Sequence, residues 1–185
     1  DLASAGVREV GRLMVPRAFG LATTQGGAIA LVVLASPVPG AIAALNYGQL
    51  LMMLPLGIFA MAIAQAVFPR LAIEEGLANS DRVREILDRA LALVLFLTIP
   101  SATALFFLGE PVVRVLWERG QFGSESTAMT VHALRLYSPG LIALATTEIV
   151  TRVFYARRDT LTPVVASSAA MALNIAAAYV LSRSL

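Results

Sequence analysis

Residues able to do chemistry are few in this chain, and the most informative lie in apolar surroundings. Between Ala128 and Tyr155 a long apolar run is interrupted by Arg135, Glu148 and Arg152. A charge at the centre of a bilayer costs about 2.5–3.5 kcal/mol on insertion scales, so each must be paired, solvated or snorkelling. Glu148 and Arg152 are four residues apart with Glu first, the favourable order for an ion pair on one helix face. Arg135 is thirteen residues from Glu148. That is about 140° around a helix, so the two are not partners within one.

Uncharged polar groups form a second set, because an unpaired amide or hydroxyl is costly in hydrocarbon. One apolar run carries Thr23, Thr24 and Gln25 beside Gly26 and Gly27, a second Asn46, Tyr47, Gln49 and Gln65, and a third Ser167, Ser168 and Asn174. Some serve helix–helix hydrogen bonds, worth about 0.6–2 kcal/mol. Gln25, Asn46 and Gln49 are the candidates for a hydrated cavity. The small-residue stripes Ala60 with Ala64, and Ser168, Ala172 and Ala176, are assigned to packing. Prolines adjoin or enter every apolar run, and Pro55 with Gly57, Pro100, and Pro139 with Gly140 are candidate hinges or helix breaks. Proline removes a donor and clashes with the carbonyl four residues back, and membrane helices tolerate it where neighbours or water satisfy the freed groups.

Other chemistries are excluded by what is absent. The chain has no Cys and a single His132 with no acidic pair at ligand spacing, so no thiolate or metal site is expected. No nucleophile has a nearby base, which argues against an enzyme, and nothing calls for a cofactor. All 14 basic residues are Arg with no run longer than two, which argues against nucleic acid.

The elements that must position these groups follow from composition. The chain has 185 residues, 58% of them hydrophobic and 14% charged, and no charged residue lies between Arg17 and Arg70. Soluble domains carry roughly 25% charged residues. A bilayer core of about 30 Å takes about 20 helical residues. Dividing the chain at charges and turns gives five spans in one membrane domain, at about 18–36, 43–69, 90–108, 128–155 and 160–182. A membrane β-barrel would instead show alternating segments of about ten residues. Pro37-Val38-Pro39-Gly40 suits a tight turn between the first two spans. Residues 70–89 are expected to form an amphipathic loop in which Asn79, Ser80 and Asp81 cap a helix that pairs Arg84 with Asp88 and Glu85 with Arg89 and runs on into the third span. Residues 109–127 are expected to hold a separate short interfacial helix starting at Glu110-Pro111, with Trp117 as an anchor.

Ten Arg flank the spans on one side, Arg8, Arg12, Arg17, Arg70, Arg82, Arg84, Arg89, Arg152, Arg157 and Arg158, against Arg114, Arg119 and Arg183 on the other. By the positive-inside rule the first side is cytoplasmic, which puts the N-terminus inside and the C-terminus outside. The chain opens on Asp1 and stops just after the fifth span, and a piece of a longer polytopic protein is expected.

Several stretches resemble a known family. Leu45-Asn46-Tyr47, Leu51-Met52-Met53-Leu54-Pro55-Leu56-Gly57-Ile58-Phe59, Ala62-Ile63-Ala64 and Phe68-Pro69-Arg70-Leu71 resemble the eighth helix of the MurJ/MviN lipid II flippases. Glu118-Arg119-Gly120 with Phe122, Phe154-Tyr155-Ala156-Arg157 with Asp159, Thr160 and Pro163, and Asn174 are similar to further motifs of that family. The resemblance implies an all-α lobe of a MOP-type transporter, its seventh to eleventh helices, in a bacterial cytoplasmic membrane. It implies translocation of lipid-linked peptidoglycan precursor by alternating access for cell wall synthesis. The partners would be that substrate, membrane lipids and the remaining helices. Gln25, Asn46 and Gln49 would then line the cavity, Arg17 would sit at its cytoplasmic mouth, and Glu148 with Arg152 would help hold the moving lobe. Family members usually carry an Asp-Arg pair just after the Asn-Tyr motif, where this chain has Gln49 and Leu50, and an Asn and an Asp in the seventh helix, where it has Gly27 and Leu31. Two other readings stay open: a related exporter of a drug or another lipid-linked glycan, and a membrane scaffold that transports nothing.

Overall fold

The computed structural model describes Gly26, Ile29 and residues 32–184, and these are helical and loop, without a strand. Four long helices follow a helical turn at residues 32–35. They are α1 (Ala41–Gly76), α2 (Ser80–Trp117), α3 (Ser124–Ala156) and α4 (Leu161–Ser184). The chain is all-α, and among the described residues three segments, Ala41–Gly76, Ser80–Trp117 and Leu161–Ala178, are long and apolar enough to cross a membrane. Val38–Arg158, holding α1 to α3, forms one compact unit, and residues 32–37 and 159–184 belong to a second.

Local chemistry sets the helix ends. Gly40 enters α1 with φ of 80°, a left-handed conformation that glycine adopts without penalty. At the far end, Ala78 has φ of 55°, its N–H donates to the Glu75 carbonyl at 3.0 Å, and the Asn79 N–H donates to that of Glu74 at 3.0 Å. This is a Schellman closure with alanine in the place glycine usually takes. Asn79 then caps α2, accepting from the Arg82 N–H at 3.4 Å while its amide donates to Glu74 at 3.1 Å. Asp159 caps α4 in the second unit, accepting from the N–H groups of Leu161 and Thr162 and from the Thr162 hydroxyl.

Within Val38–Arg158, α3 is the hub, with ten buried residues. Three buried clusters each draw on all three helices. Near the Gly40 end Leu51, Val113, Val131 and Leu134 meet. In the middle Met52, Leu56, Ala60 and Ala64 meet Ala90, Val94 and Ala102 and, from α3, Leu141, Ala145 and Ile149. At the other end Leu71, Val83 and Val153 meet. Membrane helices gain little from hiding apolar surface and associate by close packing, which small residues allow. Ala60, Ala64 and Ala145, all fully buried, do this in the middle layer.

The expected loops are largely helix. α1 runs to Gly76, so the loop part of 70–89 shrinks to three residues, while the helix expected after Asn79–Asp81 is present as the start of α2, with Arg84 paired to Asp88 and Arg89 to Glu85. Leu71 and Val83 are both buried against Val153, and that packing carries the helices past the last apolar span residues. The separate helix expected from Glu110-Pro111 is also absent, because α2 continues through both to Trp117. Gly109 and Val113 are buried, and Arg114 pairs with Glu110 and with Glu118, one turn to either side. Trp117 is half-buried with its ring 4.8 Å from Tyr47, so it belongs to the packing more than to a free interfacial anchor.

Pro100, and Pro139 with Gly140, do not break their helices, which remain α-helical throughout. Both rings lie on exposed faces, so each costs one N–H rather than a collision in the core. Nearby hydroxyls are satisfied locally: Thr98, Ser101 and Ser138 donate to the carbonyls four residues back at 2.7–2.8 Å. The exception is α1, which changes to π-helical geometry over Leu56–Met61, directly after Pro55 and including Gly57.

Candidate functional site

Of the four residues expected in a cavity, Arg17 and Gln25 lie outside the described residues. Asn46 and Gln49 are on α1 and both are exposed. Their direction is set by Gly48, which is buried against α3. A Cβ added there would lie 3.3 Å from the Leu134 backbone nitrogen, 3.4 Å from the Ala133 Cβ and 3.5 Å from the Thr130 carbonyl oxygen. α1 and α3 therefore meet backbone to backbone at Gly48. At 100° per residue, Asn46 points about 160° away from that contact and Gln49 about 100° away. Tyr47 locks the same turn, its ring 4.8 Å from that of Trp117 and 5.3 Å edge-on from that of Phe122. The two amides are thus held on the face of α1 turned from its own core, beside the exposed Met53.

The charges of α3 separate into two groups. Arg152 donates to Glu148 at 3.3 Å, with the side chains 24% and 34% exposed, so the expected ion pair forms. The buried Arg152 Nε has no hydrogen-bond partner among the described residues. Arg135 does not meet them. It lies at the other end of α3 and lines a cavity of about 300 Å³ with Glu110, Arg114, Ser124, Thr127 and His132. The antiparallel register of α2 and α3 explains this: a Cβ on Gly109 would lie 2.9 Å from the Leu134 Cδ2, so Arg135 is level with the last apolar turn of α2.

Two further structures use residues of the motifs whose roles the sequence left unread. In Glu118-Arg119-Gly120-Gln121-Phe122, Arg119 donates to the carbonyls of Leu116 and Val115 and closes the end of α2. Glu118 accepts from the Thr127 hydroxyl at 2.9 Å, Gly120 turns the chain at φ of 63°, and Phe122 returns to Tyr47. In Phe154-Tyr155-Ala156-Arg157, Arg157 Nε donates to Glu75 at 2.8 Å, clasping the end of α3 to that of α1 across 82 residues of sequence. No three His, Asp or Glu side chains among the described residues are grouped to hold a metal.

Comparison with known proteins agrees with this architecture. The family model described as Lipid II flippase MurJ matches residues 1–185. The chain is 36% identical to a probable lipid II flippase MurJ of Rhizobium meliloti (strain 1021) over 94% of this chain and 32% of that protein. It is 33% identical to a probable lipid II flippase MurJ of Vibrio cholerae, over 92% of this chain and 33% of that protein. A protein of Burkholderia cenocepacia named lipid II flippase MurJ is 32% identical over 86% of this chain and 31% of its own length. The chain thus spans about a third of the length of these relatives. Among solved structures, a lipid II flippase MurJ in an inward closed conformation superposes with a TM-score of 0.79 at 26% identity, covering 91% of this chain and 36% of that one.

Proposed function

The chain belongs to the MurJ lipid II flippase family, and on that premise we propose that it forms part of a transporter that carries lipid-linked peptidoglycan precursor across the bacterial cytoplasmic membrane. The family match along the whole chain is the observation that carries this reading, and the fold likeness to a flippase of known structure supports it. Translocation needs no covalent chemistry. The protein has to offer a polar surface to the headgroup and alternate the side on which that surface opens.

Within that reading Asn46 and Gln49 line the translocation cavity, because α1 holds the two amides on the face turned from its own core. The π-helical stretch after Pro55 is the place where α1 can change its bend, since π-bulges loosen the regular ladder. The Glu148–Arg152 pair lets α3 carry two charges within its lobe by neutralising them against each other. The side bearing Arg84 and Arg157 is cytoplasmic, from the ten-to-three bias in Arg.

Expression of the full-length gene in cells depleted of their own flippase tests the reading. Restored growth and cell shape are expected, and failure despite correct membrane insertion refutes it. A related exporter is the second reading, favoured by Gln49 and Leu50 standing where the family usually carries Asp-Arg. It predicts no complementation together with lowered accumulation of its own cargo.

A further inference from the structure

A groove of about 390 Å³ runs between the start of α2 and the end of α3, lined by Ser80, Val83, Arg84, Leu87, Val150, Val153, Phe154 and Arg157. Its floor is apolar, its rim carries two guanidinium groups, and no carboxylate lines it. The charge-free run of α2 begins only at Ala90, so the groove lies at headgroup depth rather than within the hydrocarbon. We propose that this groove binds the phosphodiester headgroup of an anionic phospholipid from the leaflet on that side, with the first part of an acyl chain over Leu87, Val150 and Phe154.

Each arginine keeps its phosphate-binding end available. Arg157 meets Glu75 through Nε at 2.8 Å, and Arg84 faces Asp88 through Nε at 4.0 Å. In neither case does the structure show a terminal nitrogen bonded to a described residue. Guanidinium groups grip phosphate oxygens through such paired donors. Basic pockets between membrane helices take anionic headgroups for this reason. The apolar floor selects a lipid over a free phosphate, which would leave the part-exposed Leu87, Val150 and Phe154 in contact with water. The site is remote from Asn46 and Gln49 and independent of what the transporter carries.

The test is native mass spectrometry of the purified full-length protein released from detergent with equal amounts of phosphatidylglycerol and phosphatidylcholine of the same acyl chains. Preferential retention of phosphatidylglycerol is expected, falling about fivefold for Arg84→Gln, the attraction of one arginine for an anionic surface. Arg84→Gln is the informative variant because, among the described residues, Arg84 pairs with the exposed Asp88 alone, whereas Arg157→Gln also breaks the clasp to Glu75. Asp88→Asn serves as the control and should retain phosphatidylglycerol at least as well as the unaltered protein. Equal retention of the two lipids, no effect of Arg84→Gln, an equal loss with Asp88→Asn, or a second copy of the protein occupying the groove would each overturn the proposal. Lipid retention is read without transport, so a failed complementation leaves this result standing, and the reverse holds as well.

Discussion

Replacing Gly48 by valine is the most direct challenge to the geometry that orients Asn46 and Gln49. The added Cβ would meet the Leu134 nitrogen at 3.3 Å, the Ala133 Cβ at 3.4 Å and the Thr130 carbonyl oxygen at 3.5 Å. Two of these are backbone atoms of α3, which cannot rotate out of the way, so relief requires moving one helix against the other. Alanine adds only that Cβ. Its strain of about 1 kcal/mol for mild overpacking is offset by a helix-propensity gain of about 1 kcal/mol, leaving Gly48→Ala close to the unaltered protein. Valine adds two more carbons against the same backbone and loses part of the propensity gain, so a loss of about 2–3 kcal/mol is expected. Gly109→Ala supplies the contrast, because its Cβ would lie 2.9 Å from the end of the Leu134 side chain, which can change rotamer. It should cost less than Gly48→Val despite the shorter contact. Urea unfolding of the purified full-length protein in detergent measures all three. In a full-length protein carrying no other cysteine, a cysteine placed at Gln49 also reports by its labelling rate whether α1 has turned. Stability for Gly48→Val equal to the unaltered protein, or ranking below Gly109→Ala in cost, would refute the backbone contact as the element that fixes this face.

Four smaller perturbations probe single caps and ion pairs. Ala78→Gly relieves a left-handed φ of 55° and should raise stability by about 1 kcal/mol in the same unfolding assay. Glu148→Leu strands Arg152 and should destabilise more than Glu148→Leu with Arg152→Leu. A double-mutant cycle should give a coupling of about 0.5–3 kcal/mol, and equal losses for single and double variants would exclude a working pair. The half-exposed Arg157–Glu75 clasp should couple by about 0.2–1 kcal/mol and weaken in high salt. The Thr162 hydroxyl, followed by its backbone N–H, holds the Asp159 carboxyl below the usual carboxylate range. The support Asp159 gives to the start of α4 is therefore complete above its unfolded-state value and lost as pH falls through the lowered one. Amide exchange at Leu161 and Thr162 should speed up over that acid range, and Asp159→Ala should remove the dependence.

The class of this protein is legible from the gap between Arg17 and Arg70, because no soluble fold needs 52 residues without a charge. The helix ends are not legible from charge, for a physical reason. Charges mark where hydrocarbon stops, whereas a helix stops where its packing and pairing stop. Leu71, packed with Val83 and Val153, extends α1 beyond its apolar run, and Glu110, Arg114 and Glu118 extend α2 through Pro111. Asn79 was readable as a cap because capping depends only on neighbours in sequence. The face of Asn46 and Gln49 depends on the contact of Gly48 with α3, and the depth of Arg135 on the register of Gly109 with Leu134. Neither relation has a signature in the residues themselves.

That register also accounts for the different company kept by the charges of α3. Arg135 and Glu148 are thirteen residues apart, about 20 Å along the helix. With α3 taken as the span expected from the sequence and the pair centred in a hydrocarbon core of about 30 Å, each backbone position would lie about 5 Å inside the boundary. An arginine can cover that distance by extending along its own methylenes, and Arg135 extends to the cavity it shares with Glu110 and His132. A glutamate is too short to do the same. Glu148 instead has Arg152 one turn closer to the boundary, and the guanidinium reaches back to it at 3.3 Å. Neutralising Glu148 alone should therefore cost more than neutralising Arg135 alone, and insertion and unfolding measured for Glu148→Leu and Arg135→Leu decide it. The opposite order would mean that Arg135 lies deeper than α2 allows.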